Sequence, residues 1–169
     1  MIQLISYTNT YKANTIRRIM TFFGYHQLLI QGQPDEASTD VLKETNETLG
    51  EWQTGNNELY VILEKGVDVG FLRLNYRGPI VAWIEDIFVD EDKRGRGIAT
   101  AALEVAEKIV REKGNYEAIC LDVVPRNADA MRLYHKLGFT DLSLLTLRKE
   151  FGESRRDRQV KLFDLDFKY

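Results

Sequence analysis

The spacing of apolar positions changes along the chain, and each change marks an element. Ile2 to Tyr7 is a short apolar run that predicts a first strand. Thr8-Asn9-Thr10 supplies capping side chains for a helix that follows. There Ile16, Ile19, Met20 and Phe23 recur at helical spacing over residues 11–23, and Gly24 is expected to end or bend that helix. Residues 25–30 fit helix or strand equally. Gln31-Gly32-Gln33-Pro34 is a break. Residues 35–51 carry Asp35, Glu36, Asp40, Glu44, Glu47 and Glu51 against Lys43 alone. A solvated helix face explains this run, and an acidic rim for a cationic substrate is the sharper alternative.

From Leu59 the pattern turns to strands. Residues 59–63 and 67–74 flank Glu64-Lys65-Gly66, a tight hairpin turn. Arg77-Gly78-Pro79 makes the next turn, and the mostly apolar run 80–89 reads as a central strand. Helical spacing returns over 97–113, with Ile98, Ala102, Val105 and Ile109 on one face and Gly114 at the cap. Residues 118–124 form an apolar strand that Pro125 stops. Asn127 suits the N-cap of a short helix with Ala130, Leu133, Tyr134 and Leu137 on its face, closed by Gly138. Phe139 to Leu147 reads as a further strand, residues 148–161 as a basic turn or loop, and Val160 to Phe167 as a final alternating strand. Antiparallel hairpins followed by a strand–helix–strand crossover at 80–124 define a mixed α/β (α+β) domain.

Composition narrows the class. A length of 169 residues, 44% of them apolar, suits one folded domain, 1–169, with a real core. The net charge of −3 argues against a nucleic-acid binder that works through bulk charge. A single cysteine, Cys120, excludes an intrachain disulfide framework, and with only His26 and His135 beside it no metal site is expected. Cys120 sits in an apolar run and reads as an inert core thiol. No apolar run is long enough to span a membrane, and the start lacks a signal-peptide pattern, so a cytoplasmic location is the expectation.

The chemistry concentrates in residues 84–99. An apolar strand ending at Phe88-Val89 runs through a charged loop into Arg94-Gly95-Arg96-Gly97 and then into a helix. The glycines let the backbone approach a ligand. The first helical turn presents N–H groups without intrahelical partners, and the helix dipole adds positive charge. Such a turn takes an anion, and a phosphate-bearing cofactor is the natural occupant.

Arg94-Gly95-Arg96-Gly97-Ile98-Ala99 resembles the acyl-CoA-binding signature of the GCN5-related N-acetyltransferases (GNAT), with Arg94, Gly97 and Ala99 in its fixed places. The preceding strand, Trp83 to Val89, and the downstream block from Leu121 through Asn127 to Leu133-Tyr134 and Gly138-Phe139 extend the resemblance over 83–139. Ala99 stands where many members have glycine. The resemblance implies a GNAT-like fold: a central, mostly antiparallel sheet, splayed between its two central parallel strands and flanked by helices. It implies direct acetyl transfer from acetyl-CoA to an amine, without a covalent enzyme intermediate. Backbone N–H groups of Gly95, Arg96, Gly97, Ile98, Ala99 and Thr100 would cradle the pyrophosphate. Phe88 and Val89 would offer backbone groups to the pantetheine arm, and Asn127 could bond it too.

Two residues stand out for the proton transfers. Glu85 interrupts an apolar strand and is the candidate general base; a structural or substrate-orienting carboxylate is its alternative. Strand alternation places Asp86 on the opposite face, apart from Glu85. Tyr134 matches the position of the family's general acid, with an amphipathic core tyrosine as its alternative. Ile84-Glu85-Asp86 also resembles members acting on polyamine-like or aminoglycoside-like amines, so a small primary amine is the expected acceptor. A protein or peptide amine, or a non-catalytic acyl-CoA sensor, are the alternatives. The last strand leaves a homodimer through sheet edges open.

Overall fold

A computed structural model describes residues 1–31, 40–153 and 156–169. The described residues of Met1–Phe23 and Ala37–Asp122 form one compact unit, and those of Gly24–Glu36 and Val123–Tyr169 a second. The first unit holds a five-stranded sheet of β1 (Ile2–Ser6), β2 (Asn57–Glu64), β3 (Val67–Asn75), β4 (Val81–Val89) and β5 (Ala118–Leu121), in that spatial order. The first three pairings are antiparallel, and β4 pairs with β5 in parallel. The mixed sheet expected from the sequence is therefore present. Its β4–β5 pairing ends at Ile84–Leu121, so β4 continues to Val89 beyond the last paired residue of β5.

Helices cover both faces, which is why β2 and β3 read as nearly continuous apolar runs. On one face α1 (Lys12–Gln31) and α2 (Val41–Glu51, followed by Trp52) supply Ile19, Leu49 and Trp52 to a cluster with Leu59, Phe71 and Phe88. The Phe71 and Phe88 rings stack at 5.8 Å, and Trp52 lies 5.5 Å from Phe71. Fully burying a side chain such as Phe71 contributes about 1.5–3 kcal/mol. On the other face α3 (Ile98–Glu112) contacts β1 and β4. Its buried stripe is Ile98, Ala102, Leu103, Ala106 and Val110. Val105 and Ile109, expected in that stripe, lie half-buried at its margin.

The first helix runs through Gly24 rather than ending there. A Cβ at Gly24 would meet nothing within 4 Å. Glycine in an exposed helix position costs only about 1 kcal/mol, too little to stop a helix that neighbours hold. Residues 25–30 thereby resolve as helix. Most of the break at 31–34 and the start of the acidic run lie outside the described residues. Within α2 only Thr45 and Leu49 are buried, so the acidic side chains Glu44, Glu47 and Glu51 sit on a solvated face.

In the second unit α4 (Ala128–Lys136) is capped by Asn127, whose Oδ1 accepts from the Ala130 N–H at 3.3 Å. Residues 139–147 form no strand, because no ladder partner meets them among the described residues. The expected single strand at 160–167 is a hairpin of β6 (Gln159–Leu162) and β7 (Leu165–Lys168). Phe163 and Asp164 turn it with φ of 51° and 63°. Positive φ at both central residues is the geometry of a two-residue hairpin loop, and the alternation of two short arms mimics one longer strand.

Candidate active site

Strand β4 carries the first component, and its irregularity decides where the side chains go. Arg73 pairs with Asp86 and Leu74 with Ile84, so Glu85 is an extra residue in a β-bulge. The bulge cancels the alternation expected between Glu85 and Asp86. Both carboxylates now reach one guanidinium: Arg73 Nη2 lies 2.6 Å from Asp86 Oδ2 and 3.8 Å from Glu85 Oε2. The two acids therefore share one cluster, contrary to the sequence expectation. Arg73 is fixed further by Asn57 Oδ1 at 2.8 Å and by the Trp52 ring at 4.6 Å.

Glu85 has a second partner that sequence reasoning missed. Arg77 donates from Nε and Nη2 to its two oxygens at 2.7 and 2.6 Å, a bidentate pair. The Arg77 guanidinium lies 4.3 Å from the centre of the Trp83 ring. The hydrogen bond to Glu85 raises its pKa further above the ordinary arginine value. In sequence Arg77 reads only as a turn residue; the signal available was a cation a few positions before an acid in a strand.

The second component is the backbone at the end of β4. Asp90 N–H donates to the Val69 C=O, which makes 90–69 a hydrogen-bonded pair. In an antiparallel ladder such pairs alternate, so Phe88 also exchanges its bonds with Phe71. Phe88 is thus committed to β3 by its backbone and to the core by its ring. The N–H and C=O groups of Ile87 and Val89 point the other way, where β4 has no strand partner among the described residues.

The third component is the glycine turn. After Val89 a short 3₁₀ turn spans Glu91–Lys93, Arg94 is extended, and Gly95 and Gly97 take φ of 73° and 77°. No neighbouring atom would obstruct a Cβ at either glycine, so the left-handed backbone is what calls for glycine. Gly97 C=O accepts from Ala101 N–H at 3.0 Å, opening α3. The N–H groups of Ile98, Ala99 and Thr100 then belong to a first helical turn without intrahelical partners.

The two arginines of this turn are not simple projecting charges. Arg94 folds back, its Nε donating to Val89 C=O at 3.0 Å and its guanidinium 5.4 Å from the Phe88 ring. Arg96 is half-exposed and meets Glu64 Oε1 at 3.2 Å. A cleft of about 540 Å³ adjoins the turn, lined by Arg17, Thr21, Phe88, Asp90, Glu91 and Asp92.

Arg18, unmarked in the sequence, anchors this end of the strand. It is 2% exposed, donates from Nε and Nη2 to the Asp90 carboxylate at 2.8 and 2.6 Å, bonds the Asp68 carboxylate, and reaches the Asp68 C=O at 2.9 Å. Burial lowers its pKa, but the Asp90 hydrogen bond and the two carboxylate charges outweigh that and leave it raised.

In the second unit Tyr134 is partly buried, with Phe139 edge-on at 6.0 Å, and burial raises the phenol's pKa. Asn127 spends its side-chain oxygen on its cap. Cys120 is half-buried, and His135 is exposed. Among the described residues no helix is long and apolar enough to cross a membrane, and no cluster of three metal-ligating side chains occurs.

A mixed sheet whose parallel pair ends at Ile84–Leu121, with a glycine turn and a helix N-terminus at the end of the longer strand, is the arrangement the sequence resemblance implied. The model of the acetyltransferase (GNAT) family matches residues 25–139, and the chain belongs to that family. Acetyltransferases of the family use acetyl-CoA. An N-acetyltransferase of Methanocaldococcus jannaschii is 32% identical over 112 residues, 64% of this chain and 69% of that protein. An N-alpha-acetyltransferase of Sulfurisphaera tokodaii is 35% identical over 81 residues, 47% of this chain and 48% of its own length. The chain thus spans about half the length of that curated relative. An acetyltransferase structure from Pyrococcus furiosus shares the fold, with a TM-score of 0.67 at 22% identity over 89% of this chain and all of the other.

Proposed function

We propose that the chain is one N-acetyltransferase domain that moves an acetyl group from acetyl-CoA directly to a primary amine of a small molecule, polyamine-like or aminoglycoside-like. The observation that carries this is a coincidence on one strand. Within five residues β4 supplies a bulged carboxylate, Glu85, and backbone groups without a strand partner at Ile87 and Val89, and it then leads into the glycine turn.

The backbone from Gly95 to Thr100 holds the pyrophosphate, with Arg96 turning from Glu64 to it. Arg94 fixes the turn by closing onto Val89. The pantetheine arm runs beside β4 and takes the groups of Ile87 and the Val89 N–H, the Val89 C=O being held by Arg94, while Phe88 serves the core; Asn127 Nδ2 is a further donor. Glu85 attracts the ammonium of the acceptor and takes its proton, directly or through water. The neutral nitrogen then attacks the thioester carbonyl, the carbon–sulfur bond breaks, and Tyr134 protonates the departing thiolate. Its raised pKa keeps the phenol protonated until transfer. It also lowers the drive toward a thiolate whose own value is near ~8.5, so positioning must supply the difference.

A second reading, acetylation of a peptide α-amine, is favoured by the name of the Sulfurisphaera relative. Free-thiol release from acetyl-CoA across polyamines, aminoglycosides, amino acids and peptides separates the two. Turnover of peptides alone defeats the small-amine reading. Tyr134→Phe is expected to lower kcat about 10²-fold with cofactor binding retained; unchanged kcat removes Tyr134 from the mechanism. If neither acetyl-CoA nor CoA raises the melting temperature at millimolar concentration, the acetyltransferase reading itself fails.

A further inference from the structure

Arg77 bears on how an acceptor could reach Glu85. Both Glu85 oxygens accept from Arg77, so any ammonium arriving at that carboxylate meets a guanidinium already in place. The surroundings of that guanidinium are those of a cation site. Glu85 lies below it, and the face of Trp83 is 4.3 Å away. Asp122 follows Leu121, the register partner of Ile84 and the last paired residue of β5. Its charge also acts on Arg77.

The two arginines of the cluster differ in freedom. Arg73 is 15% exposed and held by Asp86, Asn57 and Trp52. Arg77 is 47% exposed and sits on a turn next to Gly78. Arg73 is bound to Asp86 at 2.6 Å and reaches Glu85 only at 3.8 Å. Glu85 and Asp122 against Arg77 leave one negative charge in excess, and the only cation of the three is the more exposed of the two arginines.

We propose that Glu85, Trp83 and Asp122 form a cation subsite for the acceptor's alkylammonium group, and that Arg77 is its built-in occupant, displaced when the acceptor binds. This rests on the amine-acetylating reading above and adds a residue that sets acceptor affinity. Arg77 competes with the substrate, so an acceptor must outbid a bidentate guanidinium, and a weak or neutral amine does not.

The test has a binding arm and a turnover arm. In Arg77→Ala, with Arg77→Gln as a second variant that keeps side-chain bulk, methylguanidinium is the probe for the vacated place. It is expected to quench tryptophan fluorescence and raise the melting temperature of both variants at concentrations that leave the native protein unchanged. With an acceptor identified by thiol release, KM should fall about three- to tenfold in both variants, since removing a partly exposed competing pair is worth up to one decade. Methylguanidinium should then inhibit the variants competitively against the amine. No methylguanidinium binding to either variant overturns the subsite, whatever the turnover shows. A raised KM also overturns it, because Arg77 would then be holding the acceptor. Methylguanidinium binding without turnover of any amine upholds the subsite and defeats the acetyltransferase reading instead.

Discussion

Replacing Arg18 by methionine removes the tie between α1 and the two ends of the β3–β4 hairpin. Arg18 is 2% exposed, and its partners Asp68 and Asp90 are 10% and 17% exposed. The substitution keeps the apolar stem and deletes the guanidinium, so the loss is electrostatic rather than a cavity. Two mostly buried carboxylates lose the guanidinium between them, and Asp90 keeps only the exposed Arg17 at 3.9 Å while Asp68 keeps the Asn14 amide at 3.0 Å. Breaking a buried pair on one side costs about 3–5 kcal/mol; with Asp90 partly hydrated, the lower end applies, about 3 kcal/mol. In a chain of this size that is a fall of roughly 6–12 °C in melting temperature. Urea unfolding at neutral pH measures it. A second measurement separates charge from packing. Adding Asp90→Asn to Arg18→Met removes one stranded carboxylate and should recover about 1 kcal/mol or more. Because Asp90 opens the turn that leads to Gly97, Arg18→Met should also reduce the thermal shift given by acetyl-CoA. A loss under about 1 kcal/mol, or no recovery in the double variant, refutes the assignment of Arg18 as the anchor of this strand end.

Other outcomes follow from single contacts. Gly70→Ala places a Cβ 2.2 Å from the Phe88 carbonyl oxygen, a backbone atom that cannot swing away. It should destabilise by about 1–3 kcal/mol in urea unfolding, and a neutral result would mean that β3 and β4 can separate there without cost. Tyr7 has a buried hydroxyl with no hydrogen-bond partner among the described residues. Tyr7→Phe should therefore leave stability unchanged or raise it by up to about 1 kcal/mol, and a clear loss contradicts that. Tyr60 and Tyr76 both donate to Glu58, at 2.7 and 2.9 Å, and burial followed by that carboxylate pushes both phenols well above their ordinary value. Their contribution is complete below about pH 10, where the unfolded phenols are still protonated, and is lost as pH rises beyond it. The fall in stability above pH 10 should be shallower in the Tyr60→Phe, Tyr76→Phe double variant; equal slopes refute the link.

The sequence was most legible where period and chemistry agree. Hairpin β2–β3, helix α3 and the glycine turn each had a local cause: Lys65-Gly66 at the turn, an apolar stripe with Gly114 behind it, and two glycines that need positive φ. Gly24 misled because a glycine ends a helix only when nothing beyond holds it. The hairpin at 159–168 was hidden because its two turn residues, Phe163 and Asp164, do not carry the glycine that such a turn usually shows. At the site, Glu85 was found as the odd charge in an apolar strand, but its surroundings were not. Arg18, Arg73 and Arg77 lie 72, 13 and 8 residues from the acids they bind, and no period reports such separations.

The bulge at Glu85 shows why the missed part matters most. In a regular ladder Glu85 and Asp86 would face opposite sides. Phe88 would then lie on the Asp86 side, away from Glu85. The extra residue turns Glu85, Asp86 and Phe88 to the α1–α2 face and leaves Ile84, Ile87 and Val89 to the α3 face. It falls one residue past Ile84, where the pairing of β4 with β5 also stops. Two ladder defects at one level would be costly in an ordinary sheet, since each leaves backbone groups without strand partners. Here they do complementary things. One re-aims a carboxylate, and the other exposes the edge along which a donor can lie beside it. On the proposed mechanism, an antiparallel pair on one side and a released edge on the other would let a single strand serve donor and acceptor. That is a stronger reason to place the chemistry on β4 than the glycine turn, which by itself speaks only for an anion.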